Sequence, residues 1–97
     1  MVLHTLNGSP SQPAFAQCLR VLGADDALLL LGDGVYSVMP GSEALSKLRA
    51  SGAELFVLGP DALAAGLAGA LPDDVRRVDY DGFVELSERF RRQQAWY

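Results

Sequence analysis

Apolar residues along this chain recur at two different spacings, and each change of spacing marks the boundary of a predicted element. The apolar stretch Val2–Leu6 predicts a strand, and turn-forming residues follow it. From Gln12 to about Leu22, apolar residues fall three and four positions apart, which predicts a helix with Pro13 in its first turn. This apolar stripe contains Phe15, Cys18, Leu19 and Leu22. The chain is therefore predicted to begin with a strand followed by a helix.

The stretch Ala27–Leu31 is the strongest strand prediction in the sequence. Its consecutive leucines do not alternate with polar residues, and a continuous apolar run of this kind is typical of a strand buried on both faces of a parallel sheet. The segment Gly32–Tyr36 follows directly and predicts a tight turn out of that strand.

The remaining elements continue the alternation of strand and helix. They are a helix over Glu43–Ser51 capped by Ser42, a strand at Glu54–Leu58, a helix from Pro60 to before Pro72, a strand at Val75–Val78 and a last helix capped by Asp81. The last helix carries Phe83, Leu86 and Phe90 on one face. The residues after it, Gln93–Tyr97, are predicted to form a tail.

This order, βαβαβαβα, predicts an α/β fold. We expect three layers, with a small, mainly parallel sheet of four strands between two layers of helices and a flavodoxin-like shape. The 97 residues fit one domain, 1–97, with no internal linker or repeat.

Composition excludes several classes of function. Twelve acidic and eight basic residues give a net charge of −4, so direct binding of nucleic acid is not expected. The chain has one cysteine and one histidine, which form neither a disulfide nor a metal site. The nucleotide-binding patterns GxGxxG and GxxxxGK[ST] are absent, so we expect no bound cofactor. No apolar run approaches the roughly 20 residues that span a bilayer, and no signal segment opens the chain, so a cytoplasmic location is expected.

Cys18 is the candidate catalytic residue. A thiolate can accept a sulfur atom as a persulfide and hand it to another thiol. A reactive thiolate requires exposure and a nearby cation or helix N-terminus, whereas Cys18 lies on the apolar stripe between Phe15 and Leu22. Two hypotheses therefore stay open for Cys18, a buried structural residue and a sulfur carrier.

Other side chains have structural and functional interpretations of their own. His4, in the middle of the first strand, is predicted to be a buried imidazole with satisfied hydrogen bonds. Tyr36, Met39 and Trp96 either fold onto the domain or anchor an interface, where aromatic residues are enriched. A mean hydropathy of +0.15 is high for so short a chain and favours burial of some apolar surface against a partner.

Several segments, taken in order, resemble the DsrH/TusB family, and together they cover nearly the whole chain. They are Leu3-His4-Thr5-Leu6 with Ser9-Pro10, Leu28–Leu31 continuing through Asp33-Gly34-Val35-Tyr36, Gly66-Leu67, Val78–Val84, and Gln94-Ala95-Trp96. The resemblance implies a compact α/β subunit of a heterohexameric sulfur-relay complex of the TusBCD or DsrEFH type. Its implied partners are TusC/DsrF-like and TusD/DsrE-like sister subunits and a TusE/DsrC-like sulfur acceptor.

The resemblance also implies a division of labour within such a complex. The main persulfide-forming cysteine belongs to the TusD/DsrE-type subunit, and the present chain completes the assembly and shapes the surface that the acceptor meets. The sulfur is then expected to become the 2-thio group of the tRNA wobble uridine. Alternatively, the chain is a DsrH-type subunit in sulfur oxidation, with Cys18 as a sulfur carrier, since DsrH-type chains carry a cysteine in the first helix. A third hypothesis, from another class, is an isolated flavodoxin-like domain that binds a small molecule.

Overall fold

A computed structural model describes residues 1–97, in which helices connect each strand to the next along the chain. The elements are β1 (Val2–Leu6), α1 (Pro13–Val21), β2 (Ala27–Leu30), a 3-10 helix (Gly32–Val38), α2 (Glu43–Ala50), β3 (Glu54–Leu58), α3 (Gly59–Ala64), β4 (Val75–Val78), α4 (Tyr80–Arg89) and β5 (Arg92–Trp96). The strands form one sheet in the order β4-β3-β2-β1-β5, and every neighbouring pair is parallel. The predicted α/β fold with a parallel sheet is confirmed.

Two buried clusters lie on opposite faces of the sheet. The larger cluster joins side chains of α1, α2 and α3 to one face, and the smaller joins Leu86 and Phe90 of α4 to the other. Along β2, Leu28 and Leu30 belong to the larger cluster and Leu29 to the smaller, and none of the three is exposed. The prediction of a strand buried on both faces is confirmed, as is the arrangement in three layers.

The predicted tail at Gln93–Tyr97 is wrong, because most of it is a fifth strand. Strand β5 pairs in parallel with β1, from Val2 opposite Arg92 to Leu6 opposite Trp96. Its first four residues are exposed, and only Trp96 packs against the larger cluster. A strand at the edge of a sheet is held by backbone hydrogen bonds, which do not require apolar side chains. Because the side chains of β5 are mostly polar, the sequence shows no apolar alternation from which a strand could be predicted.

The helix caps confirm one sequence signal and correct another. The backbone N–H of Leu45 donates to the hydroxyl of Ser42 over 3.1 Å, as predicted for the start of α2. The last helix is capped by Asp79 and not by Asp81, because the Asp79 carboxylate accepts the backbone N–H of Gly82 over 2.7 Å. Asp79 precedes the helix and has the extended backbone of a capping residue, whereas Asp81 already lies in the first turn, where its charge suits the helix dipole.

The third helix is shorter than predicted. It ends at Ala64 and does not continue toward Pro72. Gly66 has a φ of +77° just beyond this end, a left-handed conformation that glycine adopts readily and that terminates helices. None of the helices combines the length and the apolarity that crossing a membrane requires.

Candidate functional site at the carboxyl edge of the sheet

Strands β2 and β3 end beside a shallow groove at the carboxyl edge of the sheet. The groove lies between the 3-10 helix and α3 and is lined by Gly32, Asp33, Tyr36, Asp61, Ala64 and Ala65. In open parallel sheets, binding surfaces form beyond the carboxyl ends of the strands, where loops from several strands converge. This groove is therefore the first place to look for a functional surface.

Close backbone packing fixes the 3-10 helix against the sheet. Gly34 is buried, and a Cβ atom there would lie 2.2 Å from the carbonyl oxygen of Leu6 at the end of β1. Val35 and Val38 are completely buried and anchor the helix in the larger cluster. The sequence segment predicted to be a tight turn is thus a rigid 3-10 helix, because glycine permits this approach and the valines fill the core.

A hydrogen bond ties the 3-10 helix to α3 across the groove. Gly32 adopts a φ of +52°, and its backbone N–H donates to the Asp61 carboxylate over 2.7 Å. Asp61 lies in the first turn of α3, where the helix dipole favours a negative charge. The two elements are therefore held in a fixed relation to each other.

Exposed side chains stand on these two elements and directly after the first of them, and we call four of them the carboxyl-edge surface: Asp33 and Tyr36, which line the groove, Met39, which follows the 3-10 helix, and Leu63 of α3. Tyr36 is 38% exposed, Met39 44% and Leu63 68%. Tyr36 and Met39 do not fold fully inward, although both were open to that interpretation from the sequence. Protein contact surfaces typically combine apolar and aromatic side chains with nearby charged groups on a well-packed part of the fold, and the carboxyl-edge surface has this composition.

Cys18 lies away from this surface and inside the core. Its side chain is 1% exposed and belongs to the larger cluster with Phe15. Burial, reinforced by the negative charge of Asp26, raises the pKa of the Cys18 thiol to about 11. Because α1 runs from the carboxyl edge back toward the start of β2, Cys18 in its second half also lies toward the opposite edge. In this conformation the thiol is neutral at physiological pH and closed to solvent.

His4 sits in a hydrogen-bonded network that links β1, β2 and β5. The Trp96 indole N–H donates to His4 Nδ1 over 3.1 Å, and His4 Nε2 lies 3.2 Å from the Asp26 carboxylate. Since Nδ1 accepts a hydrogen bond, the proton is assigned to Nε2, which donates to Asp26. His4 is 3% exposed, so the prediction of a buried, satisfied imidazole is confirmed. Its partners Asp26 and Trp96 were missed, because only the strand order brings them together.

Asp26 is the most heavily bonded carboxylate in the structure. It accepts the backbone N–H groups of Gly23 and Val2, each over 2.9 Å, in addition to His4. Burial by itself would raise the pKa of Asp26, but these hydrogen bonds to the charged form outweigh it and hold the pKa below its ordinary value. The ionised carboxylate therefore stabilises the fold where α1, β1 and β2 meet.

Replacing Asp26 by asparagine is expected to lower the free energy of unfolding at pH 7 by about 1–3 kcal/mol, because hydrogen bonds to a charged acceptor are lost. A carboxylate with a depressed pKa stabilises the folded state above its unfolded pKa of about 4 and loses this effect as pH falls through the folded pKa. The difference between wild type and Asp26→Asn, measured by urea unfolding, should shrink at pH 3. Asp25→Asn is the matched control, since Asp25 is exposed and makes no side-chain hydrogen bond. A deficit that stays constant with pH would contradict this account.

Comparison with known proteins supports one family over nearly the full length. The family described as DsrH like protein matches residues 8–93. Protein TusB of Escherichia coli O81 (strain ED1a) is 40% identical over 95 residues, which cover 98% of this chain and 100% of that protein. Protein TusB of Shigella boydii serotype 18 (strain CDC 3083-94 / BS512) matches with the same identity and coverage.

Two solved structures share the fold at low sequence identity. The crystal structure of the ychN protein from Escherichia coli superposes with a TM-score of 0.70 at 17% identity and covers 97% of each chain. The solution structure of protein Tm0979 from Thermotoga maritima gives a TM-score of 0.68 at 22% identity, over 92% of this chain and 93% of that one. These two similarities establish the fold alone. The family match and the full-length relatives establish more, and the chain belongs to the DsrH/TusB family.

Proposed function

We propose that this chain is a subunit of a cytoplasmic sulfurtransferase complex of the TusBCD type. The complex passes persulfide sulfur to a TusE-like acceptor, and the sulfur becomes the 2-thio group of the tRNA wobble uridine. The observation that carries the proposal is the 40% identity to Protein TusB over essentially the whole of both chains.

Within the complex, the chain acts through its surface and not through its thiol. Cys18 is buried and its pKa is raised to about 11, whereas Tyr36, Met39 and Leu63 stand exposed on a rigid part of the fold. Such a surface favours contact with TusC/DsrF-like and TusD/DsrE-like sister subunits and with the acceptor. The net charge of −4 is consistent with contact to proteins and not to tRNA itself.

Co-expression with the two sister subunits tests this assignment. The expected result on size exclusion with light scattering is one species that contains all three chains, with a mass well above 10.4 kDa. Expression of the present chain alone serves as the reference. Elution of the chain as a 10.4 kDa monomer in the presence of both sisters would overturn the proposal.

A second candidate function is that of a DsrH-type subunit in sulfur oxidation with Cys18 as a sulfur carrier. The match to the family described as DsrH like protein and the position of Cys18 in α1 favour it. For this role, α1 must move to bring the thiol to solvent. The third hypothesis, an isolated flavodoxin-like domain, stays a prediction that equilibrium dialysis with flavins and nucleotides tests.

The reactivity of Cys18 is expected to separate the first two functions. With a pKa of about 11 in place of 9.0, the thiolate fraction at pH 8 is about a hundredfold smaller, and burial slows access further. Labelling of the folded chain by a chromogenic disulfide should therefore be at least about a hundredfold slower than labelling in guanidinium chloride. Equal rates in the two conditions would show an accessible thiolate and favour the carrier role.

A further inference from the structure

The two edges of the sheet differ in what their outer strands present to solvent. Strand β4 forms one edge and carries two exposed arginines, Arg76 and Arg77, at its centre. Strand β5 forms the other edge, and its central residues Gln93, Gln94 and Ala95 are exposed and uncharged. Charged side chains at the centre of an edge strand discourage pairing with further strands, so β4 is protected and the centre of β5 is open.

Strand β5 is also firmly attached on its inner side. It pairs with β1 along its whole length, and the Trp96 indole is fixed by its hydrogen bond to His4. Its outer backbone N–H and C=O groups are thus held in strand geometry with no neighbouring strand. A preorganised edge of this kind lowers the entropy cost of adding a strand.

A cluster of positive charge marks the amino end of the same strand. The segment 89–92 holds three of the eight basic residues of an otherwise acidic chain, namely Arg89, Arg91 and Arg92. Together with Met1 and Phe90 they line one concavity. Arg89 is already paired with Glu54 and lies 4.9 Å above the Phe90 ring, whereas Arg91 and Arg92 are exposed and form no ion pair. Their charges are free to meet an acidic group from outside.

We propose that the outer edge of β5 accepts an extended acidic segment of a partner protein as a sixth strand, with carboxylates of that segment on Arg91 and Arg92. Strand addition supplies backbone hydrogen bonds, and the flanking charges select for acidic sequence. The outer backbone of β5 presents N–H donors and C=O acceptors in alternation, and an extended polypeptide matches that alternation whereas a sugar–phosphate backbone does not.

The test uses the full chain and a labelled peptide of alternating glutamate and valine, which forms a strand readily. We expect saturable binding that weakens as salt is raised, with changes in amide chemical shifts concentrated at residues 91–96 and absent from β4. In a peptide of equal charge with alternating glutamate and proline, the prolines have no backbone N–H to donate to a neighbouring strand. This peptide should bind at least about tenfold more weakly.

Charge reversal supplies the matched variants. Arg91→Glu with Arg92→Glu is expected to weaken binding of the glutamate–valine peptide by at least about tenfold, and Arg76→Glu on the other edge should change it less than about twofold. The proposal would be overturned if binding mapped to β4, if it did not depend on Arg91 and Arg92, or if the proline peptide bound equally strongly. Tighter binding of a single-stranded RNA of the same length would do so as well. Because no sister subunit is present, the result does not depend on formation of the relay complex.

Discussion

Gly34→Ala is expected to destabilise the fold by about 3 kcal/mol or more, because the added Cβ has no space and its neighbour cannot move. That atom would lie 2.2 Å from the Leu6 carbonyl oxygen, which belongs to the backbone of a strand flanked by β2 and β5. The φ of Gly34 is not positive, so the cost is steric and not conformational. The measurement is the free energy of unfolding in urea.

Gly69→Ala is the matched control for that substitution. No heavy atom lies within 4 Å of a Cβ at position 69, and its φ is not positive. The free energy of unfolding of Gly69→Ala should stay within about 0.5 kcal/mol of wild type. Equal stability of the two variants would show that the 3-10 helix does not pack against β1 as described, and the rigid carboxyl-edge surface would lose its basis.

The second large effect is expected in assembly and not in folding. Introducing glutamate at both Tyr36 and Met39 should weaken incorporation into the proposed complex of three subunits by at least about thirtyfold, because buried anchors at an interface dominate its affinity. Because Tyr36 is 38% and Met39 44% exposed, part of each side chain also packs on the domain, and urea unfolding of the isolated double variant verifies that it is folded. Competition against the wild-type chain during co-assembly measures the effect.

Val21→Glu controls for the loss of any exposed apolar residue. Val21 is 56% exposed at the end of α1, away from the carboxyl edge. The Val21→Glu variant should be incorporated into the complex within about twofold of wild type. If the Tyr36 and Met39 double variant assembled as well as Val21→Glu, the carboxyl-edge surface would not be the subunit contact.

The apolar pattern was sufficient to predict the interior of the fold. The run Ala27–Leu31 predicted a strand buried on both faces, and each residue of β2 is fully buried. Continuous leucines make that prediction possible because a parallel strand between two helix layers has no polar side. The stripe through Phe15 and Cys18 likewise predicted the face that α1 turns to the sheet.

Features that depend on the edge of the sheet could not be predicted from the sequence. The polar segment Arg92–Trp96 becomes a strand only because β1 offers it a backbone partner. The contact between His4 and Trp96 spans 92 positions in the chain and follows from the strand order alone. The site shows the same limit, since Tyr36 and Met39 were recognised as candidates from the sequence but their partial exposure could be read only from the structure.

In the proposed function, the chain supports sulfur transfer as an assembly subunit and its own thiol is not needed. The decisive experiment is single-turnover transfer of persulfide sulfur to a TusE-like acceptor, using complexes that contain either wild type or Cys18→Ala. Incorporation of the variant into the complex is verified by light scattering, so that a folding defect is recognised. We predict equal transfer rates for the two complexes and loss of transfer when the chain is omitted. If a fully assembled complex with Cys18→Ala transferred no sulfur, Cys18 would be a sulfur carrier and the chain would not be an assembly subunit alone.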